Sequence, residues 1–189
     1  MSWWDDNVEI EVFKRWVKGV NATSRKFVRG YIFNKGYRIV LDVGAGICED
    51  YYGFLELGGL VHYEAVDFTK KFVEACKITG IHVQLAQVDN LPFPEMIFDV
   101  SYCRHVLEHL PYYEDALTEM IRVAKKEVIV TFFLPPHDED DRMLFGNGLH
   151  SNIYNRKKLE EFLMRNQRVY NITWQKIGVD EEIMYIELS

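Results

Sequence analysis

Between residues 38 and 134 the chain alternates five short apolar runs with stretches of helical periodicity, and no other feature narrows its fold so far. The runs, rich in β-branched and aromatic residues, are 38–43, 60–66, 81–87, 97–103 and 127–134. Such alternation is the pattern of βαβ units, in which each strand feeds a helix that crosses back over a parallel sheet. The intervening helices are expected at 48–57, closed by Gly58-Gly59, at 69–79, closed by Gly80, and at 112–123, with Pro111 at its start. Beyond residue 134 the pattern changes. A polar stretch, 134–155, leads to a helix at 156–166 and two strand-like runs, 168–177 and 181–188. The break at 178–180 is too short for a crossover helix, so these two runs pair antiparallel. The fold class expected is α/β: a doubly wound sheet of seven strands, mostly parallel with a C-terminal antiparallel hairpin, and helices on both faces.

Ahead of the first strand, Ile10, Phe13, Val17 and Val20 recur at three- and four-residue steps, which predicts an amphipathic helix over 8–33, broken near 19–23. This segment reads as a helical cap over 1–36. With 189 residues, 48% of them hydrophobic, the chain can bury one substantial core, and no repeat or linker divides it. One domain over 1–189 is expected. The formal net charge of −7 gives no overall field for a phosphate polymer, which disfavours a nucleic-acid partner. Cys48, Cys76 and Cys103 form no CxxC pair and read as free thiols of a reducing compartment. The apolar run 128–134 is too short to cross a bilayer, and the first residues lack the basic and apolar regions of a signal peptide. A cytoplasmic protein with no membrane partner is expected; oligomeric state is not legible.

The first strand runs into Gly44-Ala45-Gly46 and then a helix. Glycines here admit positive φ and a close-lying ligand, and the helix start offers N–H donors. A triphosphate loop needs GxxxxGK[ST], whereas the fifth position after Gly44 is Glu49, followed by Asp50. The dinucleotide pattern GxGxxG needs a glycine where Glu49 stands. Anionic cofactors are therefore disfavoured. A nucleoside with an amino-acid end and no phosphate would tolerate the acidic neighbours, and a cationic one would be favoured by them. S-adenosyl-L-methionine meets these conditions.

At this point the chain resembles the class I S-adenosylmethionine-dependent methyltransferases, most closely their small-molecule, type 11-like branch. The resemblance is carried by Leu41-Asp42-Val43-Gly44-Ala45-Gly46, by Ala65-Val66-Asp67, and by Gln87 to Pro94 leading into Phe98 to Leu110. It implies a Rossmann-like fold, S-adenosyl-L-methionine as cofactor and a small-molecule methyl acceptor. Residues 37–134 then form the cofactor-binding half and 135–189 the acceptor-side loop, helix and hairpin. One departure is Cys48, where the family often has a further glycine.

The resemblance assigns roles by position. The turn Gly44, Ala45 and Gly46 lies against the cofactor, and Asp42 orients its amino-acid end; a charge in a central strand needs such a reason. Asp67 accepts from the ribose hydroxyls or else only caps the following helix. Phe68 packs on adenine or joins the core. Asp89, with Asn90 as its backbone neighbour, accepts from the adenine amino group or is an ordinary turn acid. Cys103 and Arg104 offer mainly backbone contacts at the end of the fourth strand, with the Arg104 side chain at the surface.

His105 and His109, four apart, would share a helical face, but without a HExxH context no metal site is expected. His109 is the first candidate for a general base and His150 the second, each against a purely structural histidine. The polar stretch 134–155 exceeds the usual loop length and reads as a lid or acceptor contact. Its acids 138–141 either attract a cationic acceptor or are merely solvated. Trp3, Trp4, Phe13 and Trp16 either cap the acceptor pocket or complete the core. The function expected is methyl transfer to a small-molecule O, N or C acceptor by in-line displacement, in which alignment and exclusion of water are the protein's main contributions. The alternative is a catalytically inactive binding or scaffold protein of the same fold.

Overall fold

The computed structural model describes residues 4, 7–13, 22–59 and 61–189. Trp3, Trp16, Val17, Val20 and the first residue of the run 60–66 lie outside the described residues, as does the expected helix break down to residue 21. Residues 10–13 are helical, residues 8 and 9 are not, and Ala22–Asn34 form helix α1.

The main sheet contains β1 (Ile39–Val43), β2 (His62–Asp67), β3 (Val83–Leu85), β4 (Phe98–Arg104), β5 (Ala124–Phe132), β8 (Val169–Ile177) and β9 (Glu181–Leu188). Their spatial order is β3-β2-β1-β4-β5-β9-β8. The first five are parallel, β9 runs antiparallel to β5, and β8 antiparallel to β9. This is the expected doubly wound, seven-stranded, Rossmann-like sheet with its terminal hairpin. The strand order reverses between β1 and β4, and the crevice beyond their carboxyl ends is where open α/β sheets bind ligands.

Alternation along the strands divides the core into two layers. Leu41, Val43, Val128 and Val130 face α4 (Glu114–Val123) and α5 (Arg156–Leu163) through Leu117, Met120, Leu159 and Leu163. Val40, Ala65, Val100 and Ile129 face the other way, onto α1, α2 (Glu49–Glu56) and α3 (Lys70–Ile78) through Ile32, Phe54 and Phe72. Helices thus cover both faces. Among the described residues no helix is long and apolar enough to cross a membrane.

The stretch 134–155 departs from the expected loop. It holds a two-stranded hairpin, β6 (Asp141–Leu144) with β7 (His150–Ile153). Every residue of β6 is exposed, so the strand carries no apolar alternation by which to recognise it. The hairpin is anchored on the turn Leu107–His109 and the residue after it: Asn152 Nδ2 donates to the Leu110 carbonyl at 2.6 Å, and the Tyr154 hydroxyl lies 2.7 Å from the Leu107 carbonyl.

Candidate functional site

At the end of β1 the chain turns through Gly44 (φ 72°) and Gly46 (φ 58°). The N–H groups of Gly44 and Ala45 both donate to the Val66 carbonyl, at 2.8 and 3.0 Å. The Gly46 N–H donates to Asp67 Oδ2 at 2.7 Å, while Asp67 Oδ1 accepts from Thr69 N–H at 2.8 Å. All three amides of the turn are thus bonded to the end of β2, and a pyrophosphate would find none of them free. The glycines matter for a reason the sequence did not disclose: a Cβ on Gly44 would lie 2.4 Å from Val106 Cγ2, and one on Gly46 would lie 2.8 Å from the Phe13 ring. The close approach is made by the chain's own side chains. Cys48, beyond the turn, is buried at φ 57°, which accounts for the suitability of glycine at that position.

Two spaces open from this turn. A cavity of about 230 Å³ lies over Gly44, Ala45 and Gly46, walled by Trp4, Phe13 and Phe72 and by Arg25, Arg104 and His105. A wider groove of about 860 Å³ runs over the ends of β2 and β3, past Leu85, Gln87 and Asp89. Gly44, Asp67, Phe68, Val106 and His109 border both. Phe68 is 45% exposed and lines both spaces, so it does not join the core. Asp67 accepts from Thr69 N–H and also lines both spaces.

Other expected residues lie elsewhere. Asp42 lines neither space. It is 3% exposed, and its Oδ2 accepts from the hydroxyls of Tyr63 at 2.5 Å and Tyr102 at 2.8 Å. Burial, with Asp50 nearby, pushes its carboxyl up to about 7. Cys103 is fully buried beneath the site and lines neither space. Asn90 is exposed and also outside both, its N–H donating to the Gln87 carbonyl. His150 approaches the site through its backbone carbonyl, not through lining by its ring.

The wall supplied by the end of β4 differs most from expectation. The Arg104 side chain is not at the surface; it is 8% exposed and donates to Glu181 Oε1 at 2.9 Å. Burial, with Arg25 close by, brings its guanidinium down to about 10. His105 stands at φ 56°, outside any helix, so it shares no helical face with His109. Its Nε2 lies 2.7 Å from Glu181 Oε1, and burial lowers it to about 4. His109 ends the turn Leu107–His109, with Nδ1 2.8 Å from the His150 carbonyl, and burial lowers it too. A carbonyl only accepts, so Nδ1 carries the hydrogen and Nε2 keeps its lone pair. Trp4 stands edge-on to His109, with ring centroids 5.4 Å apart.

Sequence reasoning missed Arg25, Val106, the Glu181 partnership and Glu108. Arg25 lines the cavity and pairs with Asp50, which Arg29 also holds. Glu108 is fully buried, its Oε1 accepting from Phe133 N–H at 2.7 Å. Only Glu108 carried a signal, a charge inside an apolar run. Among the described residues no group of three or more His, Cys, Asp or Glu side chains is arranged to hold a metal ion.

Known proteins share this fold. Residues 41–132, just under half of the chain, match the family model described as a methyltransferase domain. The uncharacterized methyltransferase YcgJ of Bacillus subtilis is 28% identical over 93 residues, and the chain spans only 37% of its length. Among solved structures, the 1,6-didemethyltoxoflavin-N1-methyltransferase of Burkholderia thailandensis, bound to 1,6-didemethyltoxoflavin and S-adenosylhomocysteine, superposes with a TM-score of 0.69 at 18% identity. The match covers 93% of this chain and 82% of that one. The PH0226 protein of Pyrococcus horikoshii gives a TM-score of 0.69 at 15% identity, covering 98% and 94%.

Proposed function

From the premise that the chain belongs to the class I S-adenosylmethionine-dependent methyltransferases, we propose that it transfers a methyl group to a small-molecule acceptor. The observation that carries the reading is the turn at 44–46, whose amides are all bonded internally, beside an Asp67–Phe68 pair that faces both spaces. Such a site is poor for a phosphate and suited to an adenosine with an amino-acid end. When bound, S-adenosyl-L-methionine supplies a sulfonium methyl already activated for displacement.

In this reading Asp67 accepts from the ribose hydroxyls, and Phe68 lies against adenine. Asp89, at the rim of the wider groove and followed by Asn90, receives the adenine amino group. Gly44, Ala45, Gly46 and Arg104 border the amino-acid end, with Cys103 as the buried neighbour of Arg104. Asp42 acts there through Arg25, whose charge it faces. His109 Nε2 takes the proton that an O–H or N–H acceptor must release, and the aromatic walls exclude water. His150 contributes by fixing the His109 tautomer. Residues 37–134 are the cofactor half and 135–189 the acceptor side of one domain, and the three buried free thiols suit a reducing cytoplasm.

The test is a thermal-shift titration with S-adenosylhomocysteine and with NAD. At a hundredfold excess over its dissociation constant the former should stabilise the protein by about 2.7 kcal/mol. No shift with it, and a shift with NAD, would refute the reading. A second reading, an inactive scaffold that keeps the fold, rests on the Phe13 ring seated against Gly46. Binding of S-adenosylhomocysteine without transfer of labelled methyl to any small molecule of a cell extract would favour it.

A further inference from the structure

Two arginines, Arg25 and Arg104, wall the smaller cavity, and they differ in how far their donors are used. Arg104 is committed: its Nε donates to the Ser24 hydroxyl at 3.3 Å and its Nη2 to Glu181 Oε1 at 2.9 Å. Arg25 gives Nη1 to Asp50, while its Nε is buried without a hydrogen-bond partner and its Nη2 makes no hydrogen bond among the described residues. Nε–H and Nη2–H share one edge of the planar guanidinium, and such an edge grips a carboxylate through two parallel bonds. Asp50 therefore leaves that edge of Arg25 unbonded.

An unpaired donor on a buried side chain is rare in folded proteins and calls for a partner that the chain itself does not supply. The charge of Arg25 is also incompletely matched. Asp50 is shared with Arg29, so one carboxylate serves two cations. Asp42, which acts on the same guanidinium, has its carboxyl pushed up to about 7 by burial and by Asp50, and is only partly ionised at neutral pH. Arg25 nevertheless stays charged, since Asp50 and Asp42 outweigh the burial that works against its proton. It stands on α1, outside the residues 41–132 that match the methyltransferase domain, so the family pattern assigns it no role.

We propose that Arg25 is a cofactor-binding residue, which receives the carboxylate of the amino-acid end of S-adenosyl-L-methionine on the guanidinium edge that Asp50 leaves unbonded. The cap helix then selects for a cofactor that carries this carboxylate. The inference rests on the methyl-transfer reading, which seats the amino-acid end in this cavity, and deepens it by naming the partner of one group.

The experiment is calorimetry on the full chain with S-adenosylhomocysteine and with its decarboxylated form, the same thioether nucleoside ending in an amine alone. The unaltered chain should bind the former about 10–100-fold more tightly, the range for a hydrogen bond between charged groups. In Arg25→Met that preference should fall to within about threefold, because the partner of the carboxylate is gone. The decarboxylated compound should bind this variant no more weakly than before, which shows that the fold and the adenosine site survive. Arg25→Lys keeps the charge without the two-donor edge and should retain only part of the preference. Arg29→Met removes the other cation on Asp50, does not border the cavity, and should keep the preference whole. Equal binding of the two compounds by the unaltered chain, or an undiminished preference in Arg25→Met, overturns the proposal and leaves the cofactor reading standing. Should Arg25→Met not fold, an undiminished preference in Arg25→Lys overturns it instead. Failure of S-adenosylhomocysteine to bind the unaltered chain overturns the cofactor reading and the proposal with it.

Discussion

Substituting Gly44 by alanine should destabilise the protein through two separable causes. The first is conformational: at φ 72° a residue bearing a Cβ loses about 1–2 kcal/mol relative to glycine. The second is steric. The new Cβ would lie 2.4 Å from Val106 Cγ2, where carbon atoms pack comfortably at about 3.5–4.0 Å, and forcing a packed site apart by this much costs about 1–3 kcal/mol. The sum is about 2–5 kcal/mol, which for a chain of this size lowers Tm by roughly 4–20 °C. Urea unfolding of the four proteins of a cycle, with and without Val106→Ala, separates the causes. Trimming Val106 removes the atom struck but leaves φ untouched, so Gly44→Ala should cost only about 1–2 kcal/mol in that background, a coupling of about 1–3 kcal/mol. An equal cost in both backgrounds would refute the contact with Val106, and no cost in either would refute the left-handed turn as well.

Asp67→Asn replaces a carboxylate that accepts two backbone N–H groups by an amide with one acceptor and one donor end. S-adenosylhomocysteine affinity should fall roughly 10–100-fold, the range for a lost charge-assisted hydrogen bond, and unchanged calorimetric affinity would remove Asp67 from the site. Burial pushes the Glu108 carboxyl from 4.5 up to about 7, so the folded state holds its proton more tightly than the unfolded one. Its contribution to stability is full below about 4.5 and declines as pH rises to about 7. Relative to the unaltered protein, Glu108→Gln should therefore be more stable at pH 8 than at pH 5 in urea melts; a flat difference would refute burial as the cause. Asp42, raised in the same sense, keeps part of the slope in the variant. Arg168 donates to the carbonyls of Ile121, Ala124 and Lys125 where α4 passes into β5 without a loop. Arg168→Met should cost about 2–3 kcal/mol of stability while leaving S-adenosylhomocysteine binding intact, and a loss of binding at full occupancy of the fold would contradict this purely structural role.

What the sequence discloses here follows from how far apart in the chain the interacting groups lie. The strands and helices of 38–134 are legible because each is specified by its own apolar period. The turn at 44–46, Asp67 and Phe68 are legible because they end or directly follow strands whose ends must meet at the switch point. Elements set by partners are less so: β3 is cut back to Val83–Leu85, and α4 begins at Glu114 rather than at residue 112. The β6–β7 hairpin is hidden because it buries almost nothing of its own outer strand.

The chemistry of the cavity wall depends on that least legible part. His109 presents Nε2 only because the His150 carbonyl, carried by β7, receives its other nitrogen. His105 presents Nδ1 only because Glu181, 76 residues later on the terminal hairpin, receives Nε2. Two histidines four apart in the chain read as a metal-ligating pair or as packing. One nitrogen of each is engaged only once residues of two C-terminal hairpins, Glu181 and His150, meet them. A substitution of Glu181, or one that moves the His150 carbonyl, should therefore alter the ring hydrogens of His105 or His109 in nitrogen-15 spectra before it alters whether S-adenosylhomocysteine binds.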